Sequence, residues 1–312
     1  MNIVLLDAKT LGDDLNLSSL KKLGTLTRYE TTREEETLSR IMDADIVITN
    51  KVILNANTLS QTKKLKLICI AATGMNNVDL EAAQYHGIEV KNVSGYSTTS
   101  VVQHTFAMAL YLLENMGYYD AVVKENRWSE SGLFTDVSRP FYEIAGKRWG
   151  IIGFGRIGQD VARIATAFGA EVNYHSTSGK NLHHAYPHKS LEFLLKDCDI
   201  VSIHAPLNDD TYDLINEINL PYLKEKSILL NLGRGGIINE IDLAFELDRR
   251  EIYAGLDVLE TEPIALNNRL NELKHKERLL ITPHIAWTSI EARHKLLDGI
   301  VENIESFLQN HH

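Results

Sequence analysis

Through the first ninety-odd residues, short aliphatic runs alternate with stretches whose apolar positions recur every three or four residues. The runs Ile3–Leu6, Leu26–Tyr29, Ile46–Thr49, Leu67–Ala72 and Ile88–Val93 predict strands. Between them, Arg33–Met42 and Asp79–His86 carry a helical period, the latter closed by Gly87 as a C-cap. Strand–helix alternation at this spacing predicts a parallel sheet covered on both faces. The hydroxyl-rich Ser94–Ser100 then supplies an N-cap for a helix expected over Val101–Lys124, apolar on most faces and so buried. Residues 126–142 follow neither period, and Trp128, Phe134, Phe141 and Tyr142 are expected to anchor an irregular surface excursion. A second alternating array predicts strands at Trp149–Gly153, Glu171–His175, Ile200–His204, Ile228–Asn231, Ile252–Val258 and Leu279–Thr282. Six strands with intervening helices suit a complete dinucleotide fold rather than half of one. Ser289–Gln309 is helical by period and free to return to the first array.

The second array opens with the stretch on which the rest turns. The apolar run ending at Ile152 leads into Gly153-Phe154-Gly155-Arg156-Ile157-Gly158, and Gln159–Gly169 reads as a helix. Three glycines spaced G-x-G-x-x-G between strand and helix have distinct tasks. Gly153 makes a tight turn, Gly155 lets backbone approach a pyrophosphate, and Gly158 lets helix and strand pack closely. The helix N-terminus offers unpaired N–H groups and a positive dipole end to phosphate.

Charge and composition narrow the picture. The 312 residues carry 32 Lys and Arg against 42 Asp and Glu, a net charge of −10, with no long basic run. A nucleic-acid or anionic-membrane partner is therefore disfavoured. The first residues are too short and too soon interrupted for a signal peptide, and a cytoplasmic location is expected. Cys69 and Cys198 lie in or beside apolar strand-like runs and read as buried free thiols. No metal-ligand set stands out, and the terminal His311-His312 pair, which reads equally as native or as a tag remnant, is set aside.

In dinucleotide folds an acid at the end of the second strand selects NAD through the adenosine ribose hydroxyls. Here that position, 18 residues past Gly158, is Ser176, followed by Thr177-Ser178-Gly179-Lys180. Without a carboxylate the obstacle to a 2′-phosphate is gone, and Ser176, Ser178 and Lys180 can donate to one. No Arg reinforces this, so an enzyme tolerant of NAD and NADP is expected.

Three titratable residues follow successive predicted strands: Arg234 in Asn231–Gly236, Glu262 in Gly255–Pro263, and His284 in Pro283-His284-Ile285-Ala286. All three loops leave the carboxyl ends of strands in one sheet, the edge on which such folds bind ligands. A planar Arg can hold a substrate carboxylate while polarising the adjacent keto oxygen. A His can protonate the alkoxide left by hydride addition, and a Glu on its other nitrogen orients the ring. Asp257 can accept from the nicotinamide carboxamide. Taken singly, each would read as a solvated loop residue or a surface ion pair. In the first array, Ala71–Asp79 reads equally as a ligand loop at the sheet edge or as an Asx-rich turn capping the helix at Asp79.

Over nearly its full length the chain resembles the D-isomer-specific 2-hydroxyacid dehydrogenases. The resemblance is carried by Gly153–Gly158, His204-Ala205-Pro206-Leu207 with Thr211, Asn231–Gly236, Gly255–Pro263 and Pro283–Ala286. It implies two Rossmann-like doubly wound parallel-sheet domains: a split, flavodoxin-like substrate domain from residues 1–97 and 288–312, and an NAD(P)-binding domain from 98–287. It further implies a homodimer, with Arg234, Glu262 and His284 as the catalytic set. Thr73-Gly74-Met75 would bind the substrate carboxylate through backbone amides, together with Arg234 and His284. Gly153, Gly155, Arg156, Ile157, Gly158, Ser176, His204, Pro206, Thr211, Leu232, Gly233, Asp257 and Ala286 would hold the cofactor. Asn92–Thr98 and Ser100–Phe106 resemble the glycerate dehydrogenase (hydroxypyruvate reductase) branch, which points to reduction of hydroxypyruvate or glyoxylate to D-glycerate or glycolate. The departure at Ser176 sets the chain apart from relatives carrying Asp there. Alternatives are D-lactate or a larger 2-hydroxy acid as substrate, and a dinucleotide-sensing corepressor-like binding protein.

Overall fold

The computed structural model describes residues 1–310; His311 and His312 lie outside the described residues. The chain divides into two compact units, Met1–Ser97 with Trp287–His312, and Thr98–Ala286.

The first unit is a five-stranded parallel sheet: β1 (Asn2–Leu5), β2 (Thr25–Arg28), β3 (Ile46–Thr49), β4 (Leu67–Ile70) and β5 (Glu89–Lys91). Its order is β2-β1-β3-β4-β5, so the direction of winding reverses between β1 and β3. Helices α1 (Ser18–Leu23), α2 (Glu34–Ile41), α3 (Ala56–Ser60) and α4 (Leu80–Tyr85) join the strands, with Asp79 capping α4 by accepting from Ala82 N–H at 2.9 Å. Because both faces are covered, each strand is apolar throughout, and alternate residues enter different cores. Ile3, Leu5, Ile46, Ile48, Leu67 and Cys69 face one core. Val4, Leu6, Val47, Ile68 and Ile70 face the other, against Ile41, Leu59 and Ala83.

The last helix of the chain, which follows the second array in sequence, packs on this first sheet. Its Ala292, Leu296, Leu297, Ile300, Ile304 and Phe307 complete the first of those cores. Arg293 of the same helix pairs with Asp14 through its two terminal nitrogens, Nη1 and Nη2, and Nη1 also donates to Leu11 O at 2.9 Å. Gly12, at φ +85°, leaves the room: a Cβ there would stand 2.3 Å from the guanidinium.

The second unit begins with α5 (Thr98–Leu113) and α6 (Met116–Lys124). The single helix expected over Val101–Lys124 is thus two. Asn115 adopts a left-handed conformation at φ 53°, which Asn tolerates better than most residues, and its side chain donates to Pro140 O at 3.2 Å. A short α7 (Arg127–Ser131) lies within the stretch expected to be irregular. The aromatics expected to anchor that stretch are exposed, Phe134 to 92%, although the Trp128 indole donates to Leu133 O at 3.1 Å. Most of the hold comes from Tyr118 and Tyr119, which bond Ser138 Oγ at 2.9 Å and Arg139 O at 2.5 Å, with the Arg139 guanidinium 4.1 Å from the Tyr118 ring centre.

Six parallel strands follow: β6 (Arg148–Ile152), β7 (Glu171–His175), β8 (Ile200–Ile203), β9 (Ile228–Asn231), β10 (Tyr253–Leu256) and β11 (Leu279–Ile281), in the order β11-β10-β9-β8-β6-β7. The switch point lies between β6 and β8. Helices α9 (Leu191–Asp197) and α10 (Glu240–Arg249) cover one face through Leu194, Leu195, Leu243, Ala244 and Leu247. On the other, α5 sets Phe106 4.9 Å from Trp149, and Met108 over Gly255, where a Cβ would meet its methyl at 3.3 Å. Helix α8 (Arg156–Ala167) follows β6, and α11 (Ile290–Asn310) is the helix that completes the first unit. Both units are doubly wound parallel α/β folds, as the alternation predicts.

Candidate active site

The three motif glycines differ in what surrounds them. Gly153 has φ +88°, and a Cβ on it would lie 2.5 Å from Ala205 N. A Cβ on Gly158 would lie 2.3 Å from Gly153 O, so only glycine lets α8 sit this close to the turn. At Gly155 a Cβ would meet nothing within 4 Å. Gly155 is also the N-cap of α8, with no side-chain cap and no acid in the first turn. Open space before an uncapped helix N-terminus, with Arg156 and Ile157 in its first turn, fits a dinucleotide pyrophosphate.

The end of β7 fits the same ligand. The Ser176 hydroxyl is buried and has no hydrogen-bond partner among the described residues. A buried hydroxyl left unpaired costs free energy that a ribose hydroxyl or phosphate oxygen would relieve. Residues 175–189 contain two Lys, four His and no Asp or Glu. The Ser178 hydroxyl accepts from Lys180 N–H at 3.3 Å, and His175 Nδ1 lies 3.0 Å from Lys189 O.

Beyond β8, the ring nitrogens of His204 are both buried without partners, and desolvation pushes its pKa down to about 3. His204 is therefore a neutral ring. Pro206 and Leu207 of the same loop are exposed. Thr211, expected at the cofactor, has no exposed surface at all. Its hydroxyl donates to Pro206 O at 2.7 Å and accepts from Asn208 N–H at 2.8 Å. Thr211 thus braces the loop that runs from Pro206 to Asn208.

The turn carrying Arg234 is built by a buried amide. Asn231 Oδ1 accepts from Gly233 N–H at 3.0 Å while its Nδ2 donates to Arg234 O at 2.8 Å. Leu232 is buried, and Arg234 is exposed, with its Nη1 donating to Gly233 O at 2.8 Å. This turn is wedged between its neighbours. A Cβ on Gly233 would stand 2.7 Å from Ala205 O, and one on Gly235 1.9 Å from Leu259 O. The loops after β6, β8, β9 and β10 thus touch in sequence along the carboxyl edge, with glycines at each contact.

Glu262 and His284 meet directly. His284 Nδ1 lies 2.6 Å from Glu262 Oε2, and Glu262 Oε1 accepts from Leu259 N–H at 3.0 Å. His284 itself has φ +53°, a left-handed conformation that non-glycine residues rarely hold and that concentrates at functional sites. What holds it there is Asp257. That carboxylate, 2% exposed, accepts from Ile285 N–H and Ala286 N–H at 2.9 Å and from Thr282 Oγ1 at 2.6 Å. Bonds to an ionised acceptor contribute about 1.5–3 kcal/mol each, which offsets the several kcal/mol needed to bury it. Because its hydrogen points to Asp257, the Thr282 hydroxyl is the acceptor for His104 Nε2 of α5 at 3.0 Å. Expected to meet the nicotinamide carboxamide, Asp257 is engaged in clasping the loop on either side of His284.

Three residues absent from the sequence-based set emerge. Gly235 and Asn231 lie inside a quoted loop, but nothing in their types shows which neighbour they touch. His104 was visible only as a polar break in an apolar helix. Cys69 and Cys198 are buried free thiols whose pKa values desolvation raises to about 12, which leaves them unreactive.

An open phosphate cradle sharing a sheet edge with a carboxylate-held imidazole is the equipment of hydride transfer, and the class is that of nicotinamide-dinucleotide oxidoreductases. Comparison with known proteins agrees. Residues 106–286 match the family model for the NAD-binding domain of D-isomer-specific 2-hydroxyacid dehydrogenases. The chain is 37% identical to a hydroxypyruvate reductase of Blautia hydrogenotrophica, over 99% of this chain and 97% of that one. It is 36% identical to a glycerate dehydrogenase of Methylorubrum extorquens, over 90% and 88%. A D-lactate dehydrogenase of Aquifex aeolicus, solved with NAD and lactic acid, superposes with a TM-score of 0.84 at 27% identity, covering 99% of this chain and 96% of that one. The chain belongs to the D-isomer-specific 2-hydroxyacid dehydrogenases and is an oxidoreductase that uses a nicotinamide dinucleotide.

Proposed function

We propose that this enzyme reduces hydroxypyruvate to D-glycerate and glyoxylate to glycolate, with either NADH or NADPH. The observation that carries the reading is the 2.6 Å contact between Glu262 and His284 on a loop clasped by Asp257. The names of the relatives supply the substrate class. Gly153, Gly155, Arg156, Ile157 and Gly158 hold the pyrophosphate, and Ser176 takes the adenosine ribose or its 2′-phosphate. His204, Pro206, Thr211, Leu232, Gly233, Asp257 and Ala286 would border the remainder of the cofactor. The reduced nicotinamide, when bound, supplies a hydride to the substrate carbonyl carbon.

The protein residues do the rest. Arg234 pairs with the substrate carboxylate and polarises the keto oxygen, drawing negative charge onto it as the bond to hydrogen forms. Backbone amides of Thr73-Gly74-Met75 are assigned to the same carboxylate. With Nδ1 held by Glu262, His284 presents Nε2 to the carbonyl oxygen and delivers the proton that completes the alcohol. Glu262 balances the charge of the imidazolium and prevents the ring from turning away. In the reverse direction the neutral ring takes that proton back.

The same proposal includes a homodimer and a cytoplasmic setting, with no membrane or nucleic-acid partner. Leu133, Phe134 and Val137, exposed on the stretch between α7 and β6, support the dimer. Among the described residues no helix is long and apolar enough to cross a membrane.

The test follows loss of reduced-nicotinamide absorbance with hydroxypyruvate, glyoxylate, pyruvate and a branched 2-keto acid, each with NADH and NADPH. Fast turnover of hydroxypyruvate and glyoxylate with both cofactors is expected. Faster turnover of pyruvate would move the assignment to D-lactate. Tight NADH binding without turnover of any keto acid would indicate a dinucleotide sensor.

A further inference from the structure

Helix α5 is apolar along the side that packs on the second sheet, where Val101, Val102, Phe106, Met108 and Ala109 are buried. His104 interrupts that run, with a side chain only 20% exposed. An imidazole drawn that far out of water needs polar partners, and it is out of place in a helix whose task is packing alone. Its partners lie on the loop that carries His284.

Residues 282–286 are gripped from α5 at both ends. Ser100 Oγ donates to Ala286 O at 2.6 Å. Four residues on, one helical turn along the same face, His104 Nε2 meets Thr282 Oγ1 at 3.0 Å. Asp257 holds the same loop from the strand side, through Thr282 Oγ1, Ile285 N–H and Ala286 N–H. The 2.6 Å bond from Thr282 to the Asp257 carboxylate uses the hydroxyl hydrogen, so the hydrogen between His104 and Thr282 belongs to Nε2 of the ring. That assigns the tautomer. A hydrogen donated to the threonine oxygen also makes its own O–H a stronger donor to the carboxylate. His104 Nε2 lies 3.6 Å from Asp257 Oδ1, the one basic side chain within 4.0 Å of that carboxylate among the described residues.

Thr282 passes this restraint to the catalytic residue. His284 N–H donates to Thr282 O at 2.9 Å, and His284 has φ +53°, a backbone conformation that persists only where the surroundings over-determine it. We propose that His104 is a positioning residue for catalysis: its Nε2 hydrogen bond fixes Thr282 and, through it, the backbone that aims His284 and keeps that ring against Glu262. The assignment deepens the reductase reading and rests on it.

The experiment compares wild type, His104→Phe, His104→Gln, Thr282→Val and the double variant His104→Phe/Thr282→Val. Steady-state kinetics on hydroxypyruvate, NADH titration by fluorescence, and amide hydrogen exchange of the 282–286 segment and of α5 are measured on each. His104→Phe keeps a ring in place and removes the donor. It is expected to lower kcat about tenfold, the size of one hydrogen bond, with KM and NADH affinity within about threefold of wild type. Exchange at Ile285 and Ala286 should quicken about tenfold while α5 exchanges as in wild type. His104→Gln, whose amide nitrogen can occupy the place of Nε2, should recover most of the loss. The double variant should be no slower than the slower single one, because both remove the same bond.

Wild-type kcat and exchange in His104→Phe would overturn the proposal. Equal losses in His104→Phe and His104→Gln, or faster exchange along the whole of α5, would give the ring a packing role and overturn it as well. Additive losses in the double variant would refute the route through Thr282. If wild type turns over no 2-keto acid, the reductase reading fails on its own, and the exchange comparison still decides whether His104 holds the loop.

Discussion

Gly235→Ala tests whether the catalytic loops hold one another in place. Gly235 has no left-handed backbone to protect, so alanine is conformationally acceptable, and the whole effect is steric. The added Cβ would stand 1.9 Å from Leu259 O, 2.0 Å from Leu259 C and 2.4 Å from Glu260 N, all backbone atoms. Relaxing these to ordinary contact near 3.5 Å requires the loops to part by more than about 1 Å. Arg234 adjoins the substituted residue, and Glu262 accepts a hydrogen bond from Leu259 N–H, so the movement reaches both. A displacement of about 1 Å in positioning groups lowers rates about 100-fold. Turnover of hydroxypyruvate and glyoxylate measures kcat/KM, and a thermal melt with an NADH titration shows whether the second unit remains folded and binds cofactor. Gly236→Ala is the control. At φ +79° it introduces strain of about 1–3 kcal/mol, but its Cβ would lie 3.4 Å from the Tyr212 ring, away from Leu259. Expected are a large loss of kcat/KM in Gly235→Ala with near-normal NADH affinity, and lower melting with smaller kinetic loss in Gly236→Ala. Gly235→Ala retaining kcat/KM within about threefold of wild type would refute the mutual-positioning argument.

Other expectations can be checked independently. His284→Ala should lower kcat by about 100-fold or more while leaving NADH affinity nearly unchanged; a parallel fall in NADH binding in the titration would give the ring a structural role instead. Ser176→Asp places a carboxylate where a 2′-phosphate would lie, so NADPH affinity should drop about tenfold or more relative to NADH, read by fluorescence titration. Asp14, held to a pKa of about 2 by its hydrogen bonds from Arg293, lies below its unfolded value of about 3.9. Its contribution to stability is therefore complete above pH 4 and is lost as pH falls toward 2. The difference in urea midpoint between wild type and Asp14→Asn should shrink over that window.

The backbone plan was legible because a parallel sheet covered on both faces imposes uninterrupted apolar strands. Ile46–Thr49 and Ile228–Asn231 begin and end where the apolar pattern says. The break at Asn115 was not legible, because apolar residues continue through it and only the local left-handed backbone separates α5 from α6. The stretch from 126 to 142 misled for a related reason: aromatic residues suggest burial, yet a tyrosine pair from the preceding helix does the anchoring. Within the site, Gly153, Gly155 and Gly158 can be read from spacing: the turn demands glycine at the first and close packing at the third, while the second leaves open space before the helix N-terminus. Gly235 cannot, because its neighbour Leu259 is remote in sequence. Nor can the assignment of Asp257 and His104, which depends on a helix crossing beneath two strand ends.

The return of α11 to the first sheet fixes an order of events during synthesis. Chains generally fold domain by domain from the N-terminus as they emerge. Here the second unit is continuous from Thr98 to Ala286, whereas the first lacks one side of a core until residues past Trp287 are made. The unit translated second is thus the first with all its parts, and the N-terminal strands must wait with Ile3, Ile46 and Leu67 uncovered on one face. Stalling translation near residue 286 should leave a nascent chain with a protease-resistant second unit and a first unit that is still cleavable.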